Sequence, residues 1–203
     1  MTPKSLCTIV CILLTTGVFS QNQTTDVENI TRITFLGPGV SYEARVGKMQ
    51  TIVGRAFVGI SASYSYSDYF GSSSEFYADP AFAVSYRYYY NLKARSAKGR
   101  RTELNNLNYI GPLWQTTFTK TPVNNDLFLN DEDSRRGVHV AGFVWGMQRN
   151  YPKHFSLDLN LGAGYVFGKR TTLDGNGNKV KVNESSATLI ADITLGFWLG
   201  RRE

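Results

Sequence analysis

His154 and Ser156 stand two residues apart, and a His-x-Ser pair is the part of this chain that most resembles catalytic machinery. In a hydrolase the imidazole takes the serine proton, and an acidic side chain orients the imidazole. The competing reading is structural: a histidine in a turn, next to a serine that faces the inside of a sheet. A second cluster, Asp174-Gly175-Asn176-Gly177-Asn178, spaces oxygen ligands at positions one, three and five, as calcium loops do. Its sixth position is Lys179 where such loops carry glycine, and Glu184 falls at eleven, not twelve. Asp-Gly and Asn-Gly pairs also make tight turns, so this segment reads as a loop tip. The chain has two histidines, and its two cysteines, Cys7 and Cys11, both lie in the first twenty residues. That composition argues against a transition-metal site. There is no glycine-rich phosphate loop and no haem motif, so no cofactor is expected. The remaining chemical feature is a set of charges, Glu43, Arg45, Arg55, Arg87, Asp158 and Asp192, placed on otherwise apolar alternating segments.

Those segments are the dominant pattern. From Thr51 to Asp68 the even positions read Ile52, Gly54, Ala56, Val58, Ile60, Ala62, Tyr64, Tyr66, with Arg55, Gly59, Ser61, Ser63 and Ser65 between them. From Phe155 to Gly168, Leu157, Leu159, Leu161, Ala163, Tyr165 and Phe167 alternate with Ser156, Asp158, Asn160, Gly162 and Gly164. From Thr188 to Gly200, Leu189, Ala191, Ile193, Leu195, Phe197 and Leu199 alternate with Asp192, Thr194 and Gly196. A period of two puts one set on each face of a strand. Mean strands run to about 5–6 residues, so these lengths need a reason. Crossing a bilayer on a tilted strand is one, since that takes about 9–11 residues.

The first twenty residues read as a cleavable signal peptide. Lys4 supplies the positive start, Leu6 to Val18 the apolar stretch and Val18-Phe19-Ser20 the small-residue cleavage site. The apolar stretch is short of the about 20 residues that a spanning helix needs. With the leader removed the mature chain has no cysteine, so no disulfide staples it. Losing Lys4 takes the net charge from +6 to +5. Apart from Lys93 to Arg101 the basic residues are dispersed, which is not a nucleic-acid footprint. Aromatic residues make up 13% of the chain, with 12 Tyr and 12 Phe. Tyrosine suits a membrane interface, where the ring meets lipid and the hydroxyl meets water.

Residues 21–30 are polar and read as a flexible lead-in to a single domain at 31–203. A first strand is expected at 31–36, a turn at Gly37-Pro38-Gly39, and a second strand with Val40, Tyr42, Ala44 and Val46 opposite Ser41, Glu43 and Arg45. The long strand at 51–68 follows, then a Gly/Ser-rich loop at 70–79 and a strand over 82–92. The basic run at 93–101 is expected to be a connection, solvated or in contact with lipid phosphates or an envelope partner. A fifth strand at 107–119 would hold Pro112 at a bulge. A polar loop covers 120–136, a sixth strand 138–149, a turn 150–153, and a last loop 169–186 precedes the final strand. The faces of the fifth and sixth strands are not legible, because the alternation is poor in the fifth and Gly142 and Gly146 alternate with Phe143, Trp145 and Met147 in the sixth. Connections alternate short and long, as in outer-membrane barrels. The expectation is an all-β, eight-stranded, antiparallel, up-and-down transmembrane β-barrel.

Alternation alone does not say which face is inside. In a secreted lipocalin-like binder the apolar set would surround a ligand. In a membrane barrel the small and polar set fills a narrow lumen, where Glu43, Arg45, Arg55, Arg87, Asp158 and Asp192 can pair in a charge network. The small polar residues on these strands favour the second arrangement.

The chain resembles the small outer-membrane β-barrel proteins of Bacteroidota. The likeness is carried by Ser41-Tyr42-Glu43, by Tyr86 to Leu92 leading into the basic run ending Lys98-Gly99, and by Asn108-Tyr109-Ile110-Gly111, Gly146-Met147-Gln148-Arg149 and Gly162-Ala163-Gly164-Tyr165. It implies residence in the bacterial outer membrane, contact with membrane lipids and insertion by the barrel-assembly machinery. Such barrels often end on an aromatic residue, whereas this chain ends Phe197-Trp198-Leu199-Gly200-Arg201-Arg202-Glu203. The His154/Ser156 pair is similar to the start of the site in outer-membrane lipid A deacylases. That resemblance calls for a glutamate well downstream, and Gly168 lies in that region. The function expected is therefore a non-enzymatic envelope role, structural or in surface interaction, including as an accessory subunit of a larger complex. A lipid-modifying enzyme and a soluble ligand binder are the alternatives.

Overall fold

A computed structural model of the chain describes residues 26–67, 71–119, 135–173, 175–176 and 179–200. The leader with Cys7 and Cys11, most of the 120–136 loop, and Asp174, Gly177 and Asn178 lie outside the described residues. Eight antiparallel strands form one sheet: β1 (Ile30–Leu36), β2 (Gly39–Gly47), β3 (Gln50–Ser67), β4 (Gly71–Tyr88), β5 (Asn108–Thr119), β6 (Arg136–Asn150), β7 (Phe155–Leu173) and β8 (Lys179–Leu199). Each strand pairs with its neighbour in sequence, and β8 returns to β1 to close the ring. A short helix, α1 (Leu92–Ala97), lies in the β4–β5 connection. Among the described residues no helix is long and apolar enough to cross a membrane, which says nothing about strands.

Several expectations change. Residues 71–79 belong to β4, not to a loop, and pair with β3 from Gly59↔Asp79 to Ser67↔Gly71. Likewise β7 and β8 pair as far as Leu173↔Lys179, which converts most of the expected 169–186 loop into strand. Serine and glycine have weak strand preferences, but a long partner strand supplies the pairing that propensity does not. The expected bulge at Pro112 is absent, since β5 and β6 pair without a break from Asn108↔Met147 to Thr119↔Arg136. On its other side β5 loses pairing with β4 between Ser85↔Leu113 and Tyr88↔Ile110, in unchanged register. Proline has no N–H to give to that ladder. The basic connection contains α1 in place of a plain turn.

The base of the ring is the end that carries residues 26–29, the 89–107 connection and the turn at 151–154. Residues 26–29 of the expected lead-in are fastened there. Val27 is buried and donates its N–H to the Lys48 carbonyl. The Glu28 N–H donates to Asn105 Oδ1 at 2.7 Å, and Asn105 Nδ2 returns a bond to the Glu28 carbonyl at 2.8 Å. Val27, Tyr89, Leu92, Leu107, Tyr109 and Val144 form the apolar floor. The opposite end is uneven. β1 and β2 have seven and nine residues, whereas β3, β4, β7 and β8 have 18 to 21.

The faces left open for the fifth and sixth strands are resolved. Tyr109 and Gly111 of β5 point inward, as do Val144, Gly146, Gln148 and Asn150 of β6, while Trp114, Phe118, Phe143 and Trp145 are exposed outside. Gly146 is required where it stands, because a side chain there would occupy the space of the Tyr109 ring. Around the ring, Ile33, Val40, Ile52, Phe82, Leu161 and Ile193 are about half exposed, and Leu189 is 85% exposed. Aromatics gather toward both ends of this wall. Tyr90, Tyr151, Phe155 and Phe197 lie by the base; Phe118, Tyr165 and Phe167 lie higher, where Trp114, His139 and Phe167 meet at 5.4–5.7 Å between ring centroids. Apolar side chains outside and charged ones inside invert the usual arrangement of a water-soluble domain.

Candidate functional site

The strand pattern throws one polar residue in two toward the axis, and just above the base these converge into a plug. Glu43 of β2 is 0% exposed and central to it. Its carboxylate accepts from Thr51 Oγ1 at 2.8 Å, Tyr89 Oη at 2.5 Å, Asn105 Nδ2 at 2.9 Å, Gln148 Nε2 at 3.1 Å and Arg32 Nη2 at 3.2 Å. Asp158 of β7 is the second centre. It pairs with Arg87 Nη1 at 2.7 Å and Arg32 Nη1 at 3.3 Å, and accepts from the Tyr109 hydroxyl at 2.6 Å. That hydroxyl also lies 2.7 Å from Asn160 Oδ1. Arg87 donates to Gln148 Oε1 at 2.6 Å, which links the two halves. Its Nε has no hydrogen-bond partner, and the guanidinium carbon stands 4.1 Å above the Tyr109 ring centroid instead. Two arginines face two carboxylates, so the plug is formally neutral. Burying charge is tolerable only when each group is paired and hydrogen-bonded, and nearly every polar atom here is.

Tyr89 lies just past the end of β4. Burial, and next the Glu43 carboxylate, hold its phenol well above the ordinary value. It stays protonated and donates.

The six charges singled out from the sequence fall in three places. Glu43, Arg87 and Asp158 share the plug. Arg55 and Asp192 form a separate pair higher in the lumen at 2.8 Å, with Arg55 Nη2 also donating to the Gly37 carbonyl at 3.2 Å and its guanidinium 4.0 Å from the Phe57 ring centroid. The Asp192 side chain is 39% exposed, so this pair is wet. Arg45 reaches Asp26 at 2.6 Å at the base, outside the lumen network. Sequence reasoning missed Arg32, Thr51, Tyr89, Asn105, Tyr109, Gln148 and Asn160. Arg32 carried a usable signal, standing between the outward Thr31 and Ile33 in a two-residue period. Tyr89 did too, since in Tyr88-Tyr89-Tyr90 the middle ring must face opposite to its neighbours.

His154 and Ser156 are not assembled as a catalytic pair. His154 adopts φ 63° in the β6–β7 turn, stacks on Trp198 at 4.1 Å and has Nδ1 3.1 Å from the Trp198 carbonyl. Ser156 is buried on the inner face of β7, and no hydrogen bond joins the two. Ser156→Ala will leave lipid A acylation in cells unchanged; a change in the acylation pattern measured by mass spectrometry would restore the hydrolase. Among the described residues no group of three His, Cys, Asp or Glu side chains is placed to hold a metal ion. No family model, curated protein or solved structure matches this chain.

Proposed function

We propose that the chain is an integral outer-membrane barrel with a plugged lumen and a non-enzymatic role in the envelope, as structure, as a surface for interaction or as an accessory subunit of a larger complex. The observation that carries this is the inverted distribution of polarity. A continuous outer wall of Ile33, Val40, Ile52, Phe82, Phe143, Leu161 and Ile193 meets the surroundings, while Arg32, Glu43, Arg87 and Asp158 are inside. In water that wall is an apolar patch far larger than a soluble monomer exposes. In lipid it is the required surface, and closure of the ring by β8 on β1 leaves no strand without a partner on either side at the level of this wall. Aromatics toward both ends agree with the girdles of such barrels. A lipocalin-like binder needs an apolar interior, and this interior is charged. In this reading the base faces the periplasm and the longer hairpins face outward, and the plug leaves no channel along the axis.

Heat-modifiability tests the reading. Folded protein extracted from membranes will run faster unheated than boiled on a denaturing gel and will fractionate with the outer membrane. Recovery in the soluble fraction without detergent, with no shift on heating, would overturn it.

A further inference from the structure

At the base, the described residues carry many more cations than anions. Lys93, Lys98, Arg100 and Lys153 are exposed, and Arg95 and Arg101 are partly so. The nearby acids are engaged. Asp26 is bound to Arg45, Glu28 accepts the Leu104 N–H at 3.1 Å, and Glu103 lies 3.8 Å from Arg101 Nε. The other end of the Arg101 guanidinium is short of partners: its Nη2 is buried and makes no hydrogen bond. Arg95 is held in place by donating to the Arg101 carbonyl through Nε at 3.4 Å and Nη2 at 3.1 Å, which folds the connection back beneath α1. Directly above lies an aromatic edge, where Trp145 Nε1 donates to the Tyr90 hydroxyl at 2.8 Å and Tyr151 packs on Phe155 at 5.8 Å. Cations beyond an aromatic edge, itself beyond an apolar wall, is the order in which a bilayer presents phosphate, interface and hydrocarbon.

We infer that this collar, Lys93, Arg95, Lys98, Arg100, Arg101 and Lys153, is a binding surface for the phosphate groups of anionic phospholipids in the leaflet at the base. The inference rests on the membrane reading above. Phosphodiesters suit it because guanidinium forks and ammonium groups both bind phosphate oxygens. Continuity with the apolar wall favours a lipid over an acidic protein, which needs only the cations. The collar then fixes the depth and the sense in which the barrel sits, since the apolar floor and the collar share one end.

The test uses the folded full-length mature protein in vesicles of equal phosphatidylglycerol and phosphatidylcholine, with retained lipids counted by native mass spectrometry after detergent release. The triple variant Lys93→Gln, Lys98→Gln, Arg100→Gln alters only exposed side chains and keeps the barrel intact by heat-modifiability. A control triple, Arg135→Gln, Lys169→Gln, Lys181→Gln, removes as many exposed cations from the opposite end. The native protein and the control will retain phosphatidylglycerol preferentially, and the preference will weaken with salt. Each cation near an anionic surface is worth about fivefold, so the base triple, which keeps three of the six, will show a preference reduced at least about fivefold from the native protein's. No preference in the native protein, or equal loss in both triples, overturns the inference. So does saturable binding of a polyglutamate peptide with no lipid preference. A protein that never enters vesicles sinks the membrane reading itself, a result distinct from insertion without lipid preference.

Discussion

Asp158→Ala will lower the stability of the folded barrel by about 3–5 kcal/mol. The change removes one of two buried anions and leaves Arg32 and Arg87 facing Glu43 alone. It also strands the Tyr109 hydroxyl, whose bond to Asp158 is 2.6 Å. The cost comes less from the lost attraction than from the cation left buried without a partner. Asp192→Ala is the internal comparison. Its partner Arg55 keeps the Gly37 carbonyl, and the Asp192 side chain is 39% exposed, so the loss there is about 0–1 kcal/mol. Denaturant titrations of the protein folded in vesicles, followed by tryptophan emission, measure both. Equal midpoints for the two variants would show that the plug is not the electrostatic centre of the fold.

Ile193→Arg separates the membrane from water. Ile193 points outward on β8 and is 50% exposed, above Phe197 at the base and below the level of Tyr165. On a water-soluble surface such a change is within about 0.5 kcal/mol of neutral. Facing lipid well away from the interface it costs about 2–4 kcal/mol, falling to about 0–1 near the edge. Val46→Arg provides the edge case, since Val46 is 51% exposed at the base end of β2. The expected result is a clear drop in the unfolding midpoint for Ile193→Arg and a small one for Val46→Arg. Two equally small effects would place the wall in water.

The eight-strand count and the alternation on β3, β7 and β8 were legible in the sequence because a two-residue period survives any context in which one face differs from the other. The lengths of β4, β7 and β8 were not. Ser72-Ser73-Ser74 and the mostly polar residues 169–173 and 179–186 that flank an Asp/Gly/Asn-rich tip have the composition of loops, and only the partner strand opposite makes them extend. The plug was half visible. Glu43, Arg87 and Asp158 announce themselves as charges on apolar strands. Gln148 and Tyr109 do not, because Gly146 and Gly111 blur the period that would assign their faces. Asn105 had no local signal, since it enters the plug from a connection where Leu104 and Asn105 both take positive φ, at 56° and 54°. His154 and Ser156 carried a sequence signal that the turn geometry explains without catalysis.

The unequal strands carry a mechanical consequence. Seven residues of β1 reach only about 23 Å along the strand, and less along the axis of a tilted strand, against an apolar band of about 25 Å in comparable barrels. On the opposite side, the 15 residues of β6 more than span it. If the chain sits in a membrane as proposed, a bilayer cannot match both sides at once. It must thin beside the β1–β2 hairpin or the barrel must lean toward it, at fractions of a kcal/mol per ångström of mismatch. Beyond Val58, whose N–H donates to the Pro38 carbonyl, and beyond Leu36↔Leu195, the facing edges of β3 and β8 pair with no strand on that side among the described residues. The low side of the rim is therefore where the wall has a notch bordered by open strand edges, and where the proposed membrane would be most deformed.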